Sequence, residues 1–586
     1  MNSMQTALRD CLCAQVSTDQ IGNTVNLAGW VNGHRDHGGL IFVDLRDYSG
    51  VVQLVFDPAN KTLFKAAEAL RSEWVVQVKG AVRKRPDGTD NTDLATGQVE
   101  VLVEDLIVHN TVAQLPFLLD DDLVREETRL KFRQLDLRRA PMQNHMRFRA
   151  KVIRTLRNYL DEHDFTEVET PYLMKATPEG ARDYIVPSRT QPGSCFALPQ
   201  SPQIFKQILM CAGFDRYYQL ARCFRDEDLR SDRQPEFTQI DLEMSFINES
   251  EIMKTVENLL KEVFEKTISY KFQSPFPSLS YREAISKYGT DKPDLRFGLE
   301  LFDFSPFGKK SNFESFKSSE YVSGMIISNK NDFFSRKQLA ELDIIAQNDG
   351  AKGVAWMKYD GEKFDGGISK FFDSNLQNEI IKNFHLKDSS ILLFIGDDFD
   401  RASKILGKIR IDLGYKLDLV KKDIYAPVWI KDFPLFEWDN KTKKFDSVNH
   451  PFTAPKDEDI KLLEHKPEDA LSKGYDIVIN GYEVAGGSIR IHNSEIQSKI
   501  FQILNLSKNE ISEKFGFFVE ALTYGAPPHG GIAFGLDRLV MLLTGSDNIR
   551  DVIAFPKTTS ASALMEEAPS TVDEKQLDDL GIKLKN

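Results

Sequence analysis

One stretch of the chain, Phe224 to Asp241, combines residue types that together can bind a nucleotide. An acidic loop lies between Arg225 and Arg233, and Phe237 and Asp241 follow at steps of four. Aromatic and β-branched residues on both sides predict two strands joined by a long hairpin loop. A guanidinium can hold a phosphate with two hydrogen bonds, and a phenyl ring offers a face for a purine. The alternative is a charged surface hairpin.

A second predicted hairpin carries two carboxylates. Asn480-Gly481 is a strong two-residue turn signal within residues 474–492. The register that it sets places Glu483 opposite Val478 and diagonal to Asp476 on one face, with Cβ atoms roughly 7–8 Å apart. Two such carboxylates can share a magnesium ion that carries nucleotide phosphates.

Two cationic residues are candidates for binding an anionic ligand. Arg490 joins the face of the two carboxylates only if Gly486-Gly487 forms a bulge. Lys206 lies three residues after Gln203 in a predicted helix that Ser201 can cap, so Lys206 and Gln203 can point at one ligand. The predicted buried stripe of that helix consists of Ile204, Phe205, Ile208 and Leu209.

A glycine-punctuated strand that turns into a helix occupies residues 529–545. Arg538 lies in the first turn of this helix, where the helix dipole favours an anion. The helix is predicted to end at Gly545. Its predicted apolar stripe consists of Leu536, Leu539, Val540 and Leu543.

The chain that positions these residues has 586 of them, which implies several domains. No apolar run approaches the roughly 20 residues that span a bilayer, and the N-terminus has no secretory pattern. The five cysteines show no Cys-x-x-Cys spacing, which fits a reducing cytosol. The sequence therefore predicts a soluble cytoplasmic protein. Its net charge of −13 argues against nonspecific nucleic-acid binding.

Between Thr24 and Val108 the sequence predicts five short strands, for which a closed OB-fold barrel is the leading case. Phe42 and Gln53 lie on neighbouring strands, where they could stack and read single-stranded bases. The alternative places Phe42 in the barrel core. A basic segment from Arg125 to Arg157 then has eleven Lys/Arg against three acids, so it is either a phosphate-backbone contact or a solvated helix face.

Three of these elements resemble, in order, the signature motifs of class II aminoacyl-tRNA synthetases. The predicted helix 146–163 with the predicted strand 165–173 is similar to motif 1, and the Phe224 hairpin is similar to motif 2. Residues 529–545 are similar to motif 3, with Asp537 where glutamate is usual. Together with the barrel and the strings TPEGARDY, LPQSPQIFKQ and NGYEVAGGSIRIH, they identify the chain as a member of the bacterial-type aspartyl-tRNA synthetases.

The resemblance implies an α+β protein with an N-terminal OB-fold β-barrel, an antiparallel-sheet catalytic domain and an inserted α/β domain. It also implies a homodimer that activates aspartate with ATP and Mg²⁺ and transfers it to tRNA(Asp). The domain boundaries are predicted at 1–112 for the anticodon-binding barrel, 113–145 for a hinge, 146–290 and 426–560 for the catalytic domain, 291–425 for the insertion and 561–586 for a C-terminal extension.

The resemblance further implies the ligand of each site residue. The nucleotide would contact Arg225, Asp226, Glu227, Gln234, Phe237, Glu483, Gly535, Leu536, Asp537 and Arg538, of which Arg225, Glu483 and Arg538 are catalytic. L-aspartate would contact Glu179, Ser201, Gln203, Lys206, Arg225, Asp241, His450 and Arg490. Asp476 and Glu483 would carry Mg²⁺, and Phe42, Gln53 and Glu100 would read the anticodon.

His37 and Gly88 bear on which tRNA is charged. In this family, members that charge both tRNA(Asp) and tRNA(Asn) tend to have a histidine and a glycine in these two barrel loops, so the hypothesis is a non-discriminating enzyme. The alternatives are an enzyme strict for tRNA(Asp), an asparaginyl- or lysyl-tRNA synthetase, an asparagine-forming ligase and a catalytically dead tRNA-binding paralogue.

Overall fold

The structure is a computed structural model that describes residues 6–177 and 180–585. Contacts within the chain divide it into two units, Met1–Gln143 and Asn144–Asn586. None of the described helices is both long and apolar enough to cross a membrane.

Five strands of the first unit close into a barrel, which confirms the prediction from the sequence. The elements of this unit are β1 (Thr24–His37), β2 (Leu40–Arg46), β3 (Val51–Phe56), α1 (Lys61–Glu68), β4 (Val75–Lys84), β5 (Val99–Asn110), α2 (Glu126–Lys131) and α3 (Arg133–Asp136). Neighbours follow the order β1-β2-β3-β5-β4, and β1 pairs with β4 to close the ring. Every second residue of β1 from Val25 to Val31 is buried, because successive side chains point to opposite faces of a strand.

The basic segment that follows the barrel is partly neutralised by carboxylates. Arg133 and Arg139 both pair with the buried Asp136, and Arg149 pairs with Asp537 at 2.5 Å. These three arginines are engaged by carboxylates, so the cations that remain for the predicted contact with a phosphate backbone are the exposed ones. The exposed cations are Arg125, Lys131, Arg147, Lys151, Arg154 and Arg157.

The second unit begins within α4 and is interrupted by a separate sheet. Up to residue 290 its elements are α4 (Ala140–Glu162), β6 (Thr166–Glu167), β7 (Ile185–Pro187), β8 (Cys195–Ala197), α5 (Gln203–Cys211), β9 (Arg216–Phe224), β10 (Glu236–Ser245), α6 (Glu249–Ile268), β11 (Ser278–Ser280) and α7 (Tyr281–Tyr288). The strand predicted at 165–173 is wrong in length, since β6 has two residues. Its pairing with β9 ends where the Val168 N–H donates to the Tyr218 carbonyl at 3.2 Å, three residues before Pro171.

The interrupting segment forms its own five-stranded antiparallel sheet, in the order β12-β13-β16-β14-β15. Its elements are β12 (Leu301–Asp303), α8 (Ser305–Gly308), α9 (Glu314–Ser318), β13 (Tyr321–Ser328), α10 (Arg336–Asn348), β14 (Ala355–Tyr359), β15 (Phe364–Asp365), α11 (Ser374–Asn383), β16 (Ser390–Asp397) and α12 (Phe399–Lys416). Alternate residues of β16 belong to two different apolar clusters, so helices cover both faces of this sheet. Burial on both faces explains the unbroken apolar run of β16.

The remaining elements complete the central sheet. They are β17 (Pro427–Lys431), β18 (Phe436–Asp439), β19 (Lys444–Ser447), β20 (Gly474–Ile479), β21 (Tyr482–Ile489), α13 (Ser494–Ile503), α14 (Lys508–Thr523), β22 (His529–Gly535), α15 (Leu536–Thr544) and α16 (Glu574–Leu580). The sheet has the order β11-β17-β20-β21-β22-β10-β9-β6. Its six inner strands are antiparallel, as the resemblance implies, and β11 and β6 add short parallel edges. All four residues of the predicted α15 stripe are buried.

The predicted hairpin of β20 and β21 is confirmed with one change. Asn480-Gly481 forms the turn, and Glu483 pairs with Val478. The bulge lies at Val484, where the pairing shifts by one residue, and not at Gly486-Gly487, whose residues pair in register with Asp476 and Tyr475. The extra residue reverses the alternation of side chains beyond it. Positions after the bulge that would otherwise point away therefore share the face of Asp476.

Both ends of the interrupting segment meet at the turn of this hairpin. Asn480 accepts a hydrogen bond from the Ala426 N–H at 2.8 Å and donates one to the Ile424 carbonyl at 2.9 Å. On the other side, a Cβ placed on Gly481 would lie 3.5 Å from the Cβ of Asp294. The entry and the exit of the segment therefore lie close together at this turn, and the exit is hydrogen-bonded to Asn480.

Candidate active site

A cleft of about 160 Å³ lies where the loop between β9 and β10 meets β21 and the start of α15. It is lined by eight of the ten residues that the resemblance assigns to the nucleotide: Arg225, Glu227, Gln234, Phe237, Glu483, Gly535, Asp537 and Arg538. The other two lie elsewhere. Asp226 pairs with Arg182 at 3.5 Å, and the Leu536 side chain is buried in the main apolar core.

Arg225 is placed to contact a ligand in this cleft. Its guanidinium carbon lies 5.2 Å from the centre of the Phe237 ring, and its backbone N–H donates to the Pro235 carbonyl at 2.8 Å. Its Nε is buried and has no hydrogen-bond partner among the residues that the structure describes. An anion that accepts from Arg225 beside the ring face would satisfy this donor.

Arg538 also lines the cleft. It donates to the Glu483 carbonyl at 2.6 Å and to the Asp232 carboxylate at 3.2 Å. Its buried Nε also lacks a partner within the described ranges. Two guanidiniums with a free buried donor thus face one cleft, which suits a ligand with more than one phosphate.

Two predicted nucleotide contacts are held by other parts of the protein. The Gln234 side chain exchanges two hydrogen bonds with the Lys557 backbone, at 2.7 and 3.0 Å. The Asp537 carboxylate accepts from Arg149 at 2.5 Å and from the Thr238 N–H at 2.8 Å. These side chains fix the walls of the cleft.

Asp476 and Glu483 converge on one point next to the cleft. An atom at the Cβ position of Gly486 would lie 2.7 Å from Asp476 Oδ1 and 3.4 Å from Glu483 Oε1. Burial, and then the charge of Glu483, raise the pKa of Asp476 well above its usual value. Burial also acts to raise the pKa of Glu483, but Lys292, Arg538 and Arg225 together hold it below its usual value.

Lys292, which no sequence motif marks, places its Nζ 2.7 Å from Glu483 Oε2. No group of three or more Asp, Glu, His or Cys suited to a metal occurs in the described part of the chain. Magnesium commonly uses one or two carboxylates together with substrate phosphates and water. The donor set of Asp476 and Glu483 fits that pattern.

A cluster of four buried charges lies on the neighbouring strands. Lys206 donates to Asp241 at 3.0 Å and lies 3.5 Å from Glu243. Arg490 donates to both oxygens of Glu243, at 2.9 and 3.1 Å. Two positive and two negative charges cancel here, which is the condition for burying ionised groups. Burial acts to raise the pKa of Glu243, but Arg490 and Lys206 hold it below its usual value.

Glu243 was also missed, although the sequence contains its signal. It follows Asp241 by two residues on β10, so the two carboxylates must share a face. β22 approaches β10 closely here, and Gly531 leaves space for Glu243 because it has no side chain. A Cβ on Gly531 would lie 1.9 Å from Glu243 Oε2. Only glycine fits at this position.

The predicted buried face of α5 is also wrong. Ile204 is buried, but Phe205, Ile208 and Leu209 are only half-buried. The fully buried positions include Gln203 and Lys206. The helix turns polar residues towards the carboxylates of the sheet. Which of its residues are buried therefore depends on charge as well as on hydropathy.

His450 completes the charged cluster from a loop. Its Nε2 lies 2.7 Å from the Nη1 of Arg490, which also donates to Ser488 at 2.6 Å. A guanidinium can only donate, so His450 accepts here and is neutral. Burial, followed by the charges of Arg490 and Lys206, lowers the pKa of His450 well below its usual value.

Two buried polar atoms of the cluster have no hydrogen-bond partner within residues 6–177 and 180–585, namely Gln203 Nε2 and Asp241 Oδ2. One is a donor and the other is an acceptor, so a zwitterionic ligand can satisfy both. Ser201 lies next to them, and its hydroxyl accepts from the Gln203 N–H at 3.3 Å. Glu179, the remaining predicted contact, lies outside the described residues.

The barrel brings together the residues assigned to the anticodon. Gln53 donates to Glu100 at 2.9 Å and accepts from Arg35 at 3.3 Å, while Arg83 donates to the other oxygen of Glu100 at 2.8 Å. Phe42 is half-buried, so it is not a core residue. The exposed His37 and Gly88 lie at the end of β1 and in the loop after β4.

The family model described as "tRNA synthetases class II (D, K and N)" matches residues 125–559 of the chain. The model described as "OB-fold nucleic acid binding domain" matches residues 25–108. The chain belongs to the class II tRNA synthetases. This class II synthetase is 50% identical, over 98% of its length and 99% of the relative, to the aspartate–tRNA(Asp/Asn) ligase of Thermodesulfovibrio yellowstonii. It is 48% identical to the aspartate–tRNA ligase of Bacillus licheniformis, over 98% and 99%.

A solved structure supports the fold of this class II synthetase. The asparaginyl-tRNA synthetase of Pyrococcus horikoshii with asparaginyl-adenylate matches with a TM-score of 0.60 over 94% of this chain and 98% of the other. The two sequences are 20% identical, so the likeness concerns the fold alone.

Proposed function

We propose that the protein is an aspartate–tRNA ligase that acts on tRNA(Asp) and also on tRNA(Asn). The observation that carries the choice of amino acid is the buried pair of cations, Arg490 and Lys206, in one cluster. An anionic side chain can accept from both, whereas a neutral amide offers only one acceptor oxygen. The names of the similar ligases favour the same substrate.

Amino-acid activation requires the α-carboxylate of aspartate to attack the α-phosphate of ATP, with pyrophosphate as the leaving group. Arg225 binds the α-phosphate and the charge that develops on it, and Phe237 stacks on adenine. Arg538 holds the terminal phosphate. Phosphoryl transfer depends on such positioning and charge neutralisation. Asp476 and Glu483 would hold Mg²⁺, which supplies further neutralisation of the phosphates when bound.

Aspartate recognition divides between two sides of the charged cluster. Arg490 and Lys206 bind the side-chain carboxylate, and neutral His450 holds the Arg490 guanidinium in place. Asp241, Gln203 and Ser201 contact the α-amino and α-carboxylate groups, and Glu179 is assigned to the ammonium. In the second step a terminal ribose hydroxyl of the tRNA attacks the acyl group, and AMP leaves. Phe42, Gln53 and Glu100 read the anticodon of that tRNA. The protein would act as a homodimer in the cytosol.

Glu243→Gln is expected to weaken aspartate recognition without weakening nucleotide binding. The carboxylate of Glu243 orients Arg490 with two hydrogen bonds, and an amide can accept only one of them. We expect the KM for aspartate to rise about tenfold or more, equivalent to about 1.4 kcal/mol. The KM for ATP should change less than about twofold, as measured by ATP–pyrophosphate exchange.

Glu257→Gln is the matched control for Glu243. Glu257 is also a buried glutamate, but it accepts from Trp429 and from the Phe276 N–H, away from the site. Its loss should lower the melting temperature and leave both KM values unchanged. An equal rise of the aspartate KM in both variants would show that Glu243 acts only through general stability.

The choice of tRNA is tested by charging purified tRNA(Asp) and tRNA(Asn) transcripts with labelled aspartate. The wild type should charge both at comparable rates, because the loops of His37 and Gly88 leave space for either base at the third anticodon position. His37→Leu introduces a bulkier apolar side chain and should reduce charging of tRNA(Asn) more than that of tRNA(Asp).

Two results of this experiment would contradict the proposal. A wild-type preference for tRNA(Asp) of about 10³, or roughly 4 kcal/mol, would make the enzyme discriminating. Charging with asparagine instead of aspartate would overturn the assignment of Arg490 and Lys206.

A further inference from the structure

The ammonium group of Lys292 lies against Glu483, one of the two predicted magnesium ligands. Its Nζ lies 2.7 Å from Glu483 Oε2, while Glu483 Oε1 turns towards Asp476. The two carboxylates would repel each other without a neighbouring positive charge. A divalent ion held by two carboxylates completes its shell with water and with phosphate oxygens, and the phosphates arrive only with ATP.

The backbone around Lys292 is fixed, whereas its side chain has room to move. The Lys292 N–H donates to Thr290 at 3.1 Å. Two residues on, the Asp294 carboxylate binds Arg296 at 2.6 Å, and its carbonyl accepts from the buried Arg410 at 2.9 Å. A lysine on such a segment can exchange partners without moving the chain.

Lys292 lies at the junction of two open spaces. It lines the nucleotide cleft, and it also lines a groove of about 1010 Å³ between α7, α12 and the turn of the β20–β21 hairpin. The groove also contains the carboxylates of Asp291, Asp398 and Asp400. Asp398 and Asp400 pair with Arg401 and Lys404, so Asp291 is the carboxylate on this side towards which the ammonium group can turn.

We propose that Lys292 is a resident counter-cation that holds Glu483 until nucleotide-bound magnesium replaces it, so that the metal enters only together with the phosphates. The role rests on the proposed function of this site. It prevents divalent ions from occupying the carboxylates before ATP is bound.

The test measures Mn²⁺ binding by electron paramagnetic resonance, without nucleotide or amino acid. The wild type should bind Mn²⁺ only in the millimolar range or weaker. Lys292→Met removes the competing charge and should bind Mn²⁺ at least tenfold more tightly. Lys292→Arg keeps a positive charge and should behave as the wild type. Lys404→Met removes a lysine that lines the groove but not the nucleotide cleft, and it should have no effect.

Several results would overturn the role of Lys292. They are micromolar Mn²⁺ binding by the unmodified wild type, an unchanged affinity in Lys292→Met, or equal gains in Lys292→Met and Lys292→Arg. The wild-type measurement needs no variant, so a variant that fails to fold leaves the test intact. Aspartate-dependent ATP–pyrophosphate exchange by the wild type tests the proposed function separately. If exchange is absent while Lys292→Met gains Mn²⁺ affinity, the assignment of the substrates is wrong, but the role of Lys292 as a counter-cation is still supported.

Discussion

Arg225→Ala should lower the rate of aspartyl-adenylate formation by at least about a hundredfold. The buried Nε of Arg225 has no protein partner in the described chain, so its guanidinium is available to the phosphate that gains charge in the transition state. A charge-assisted contact of this kind is strongest at the moment of transfer. The effect should therefore fall on kcat of ATP–pyrophosphate exchange more than on the KM for ATP.

Arg230→Ala is the matched control for this experiment. Arg230 lies five residues further along the same loop, is exposed and does not line the cleft. Its variant should exchange pyrophosphate at the wild-type rate. Near wild-type exchange by Arg225→Ala would refute the assignment of the central hairpin to the α-phosphate.

Arg490→Leu should abolish most aspartate activation and also destabilise the protein. The substitution leaves the substrate carboxylate without its main partner, and it leaves the buried Glu243 without the guanidinium that binds both of its oxygens. Breaking a buried ion pair from one side costs about 3–5 kcal/mol. We expect a loss of kcat/KM for aspartate of about a thousandfold or more, together with a lower melting temperature.

ATP binding distinguishes this role of Arg490 from a general collapse of the site. The Kd for ATP, measured by calorimetry, should remain close to wild type, because Arg490 lies outside the nucleotide cleft. Arg490→Lys keeps the charge but loses the fork geometry, so it should retain stability better than activity. Survival of aspartate activation together with loss of ATP binding would show that Arg490 serves the nucleotide.

The sequence predicts those parts of the fold that local patterns determine. The five barrel strands follow from apolar alternation between turn residues, and the Asn480-Gly481 turn fixes the register that pairs Glu483 with Val478. The stripe of α15 follows from helical spacing. In each case the decisive information lies within about ten residues, which is the range over which propensity and periodicity act.

The rest of the site depends on contacts between distant segments. The partner of Glu483 is Lys292, from the far side of the interrupting segment, and no local pattern marks that lysine. The polar burial of α5 follows from carboxylates on β10. The bulge at Val484 lies just before Ala485, the first residue of β21 that pairs with both β20 and β22, and no glycine marks it.

The anchoring of the interrupting segment at the Asn480 turn has a consequence for protein engineering. A domain whose two ends meet in space can be exchanged for a short linker or for a foreign domain without stretching its host. Here the cut has to preserve Asp294 on one side and the backbone of Ile424 and Ala426 on the other. A graft made between these points would keep the contacts of the hairpin that carries Glu483. A graft made outside them would remove these contacts.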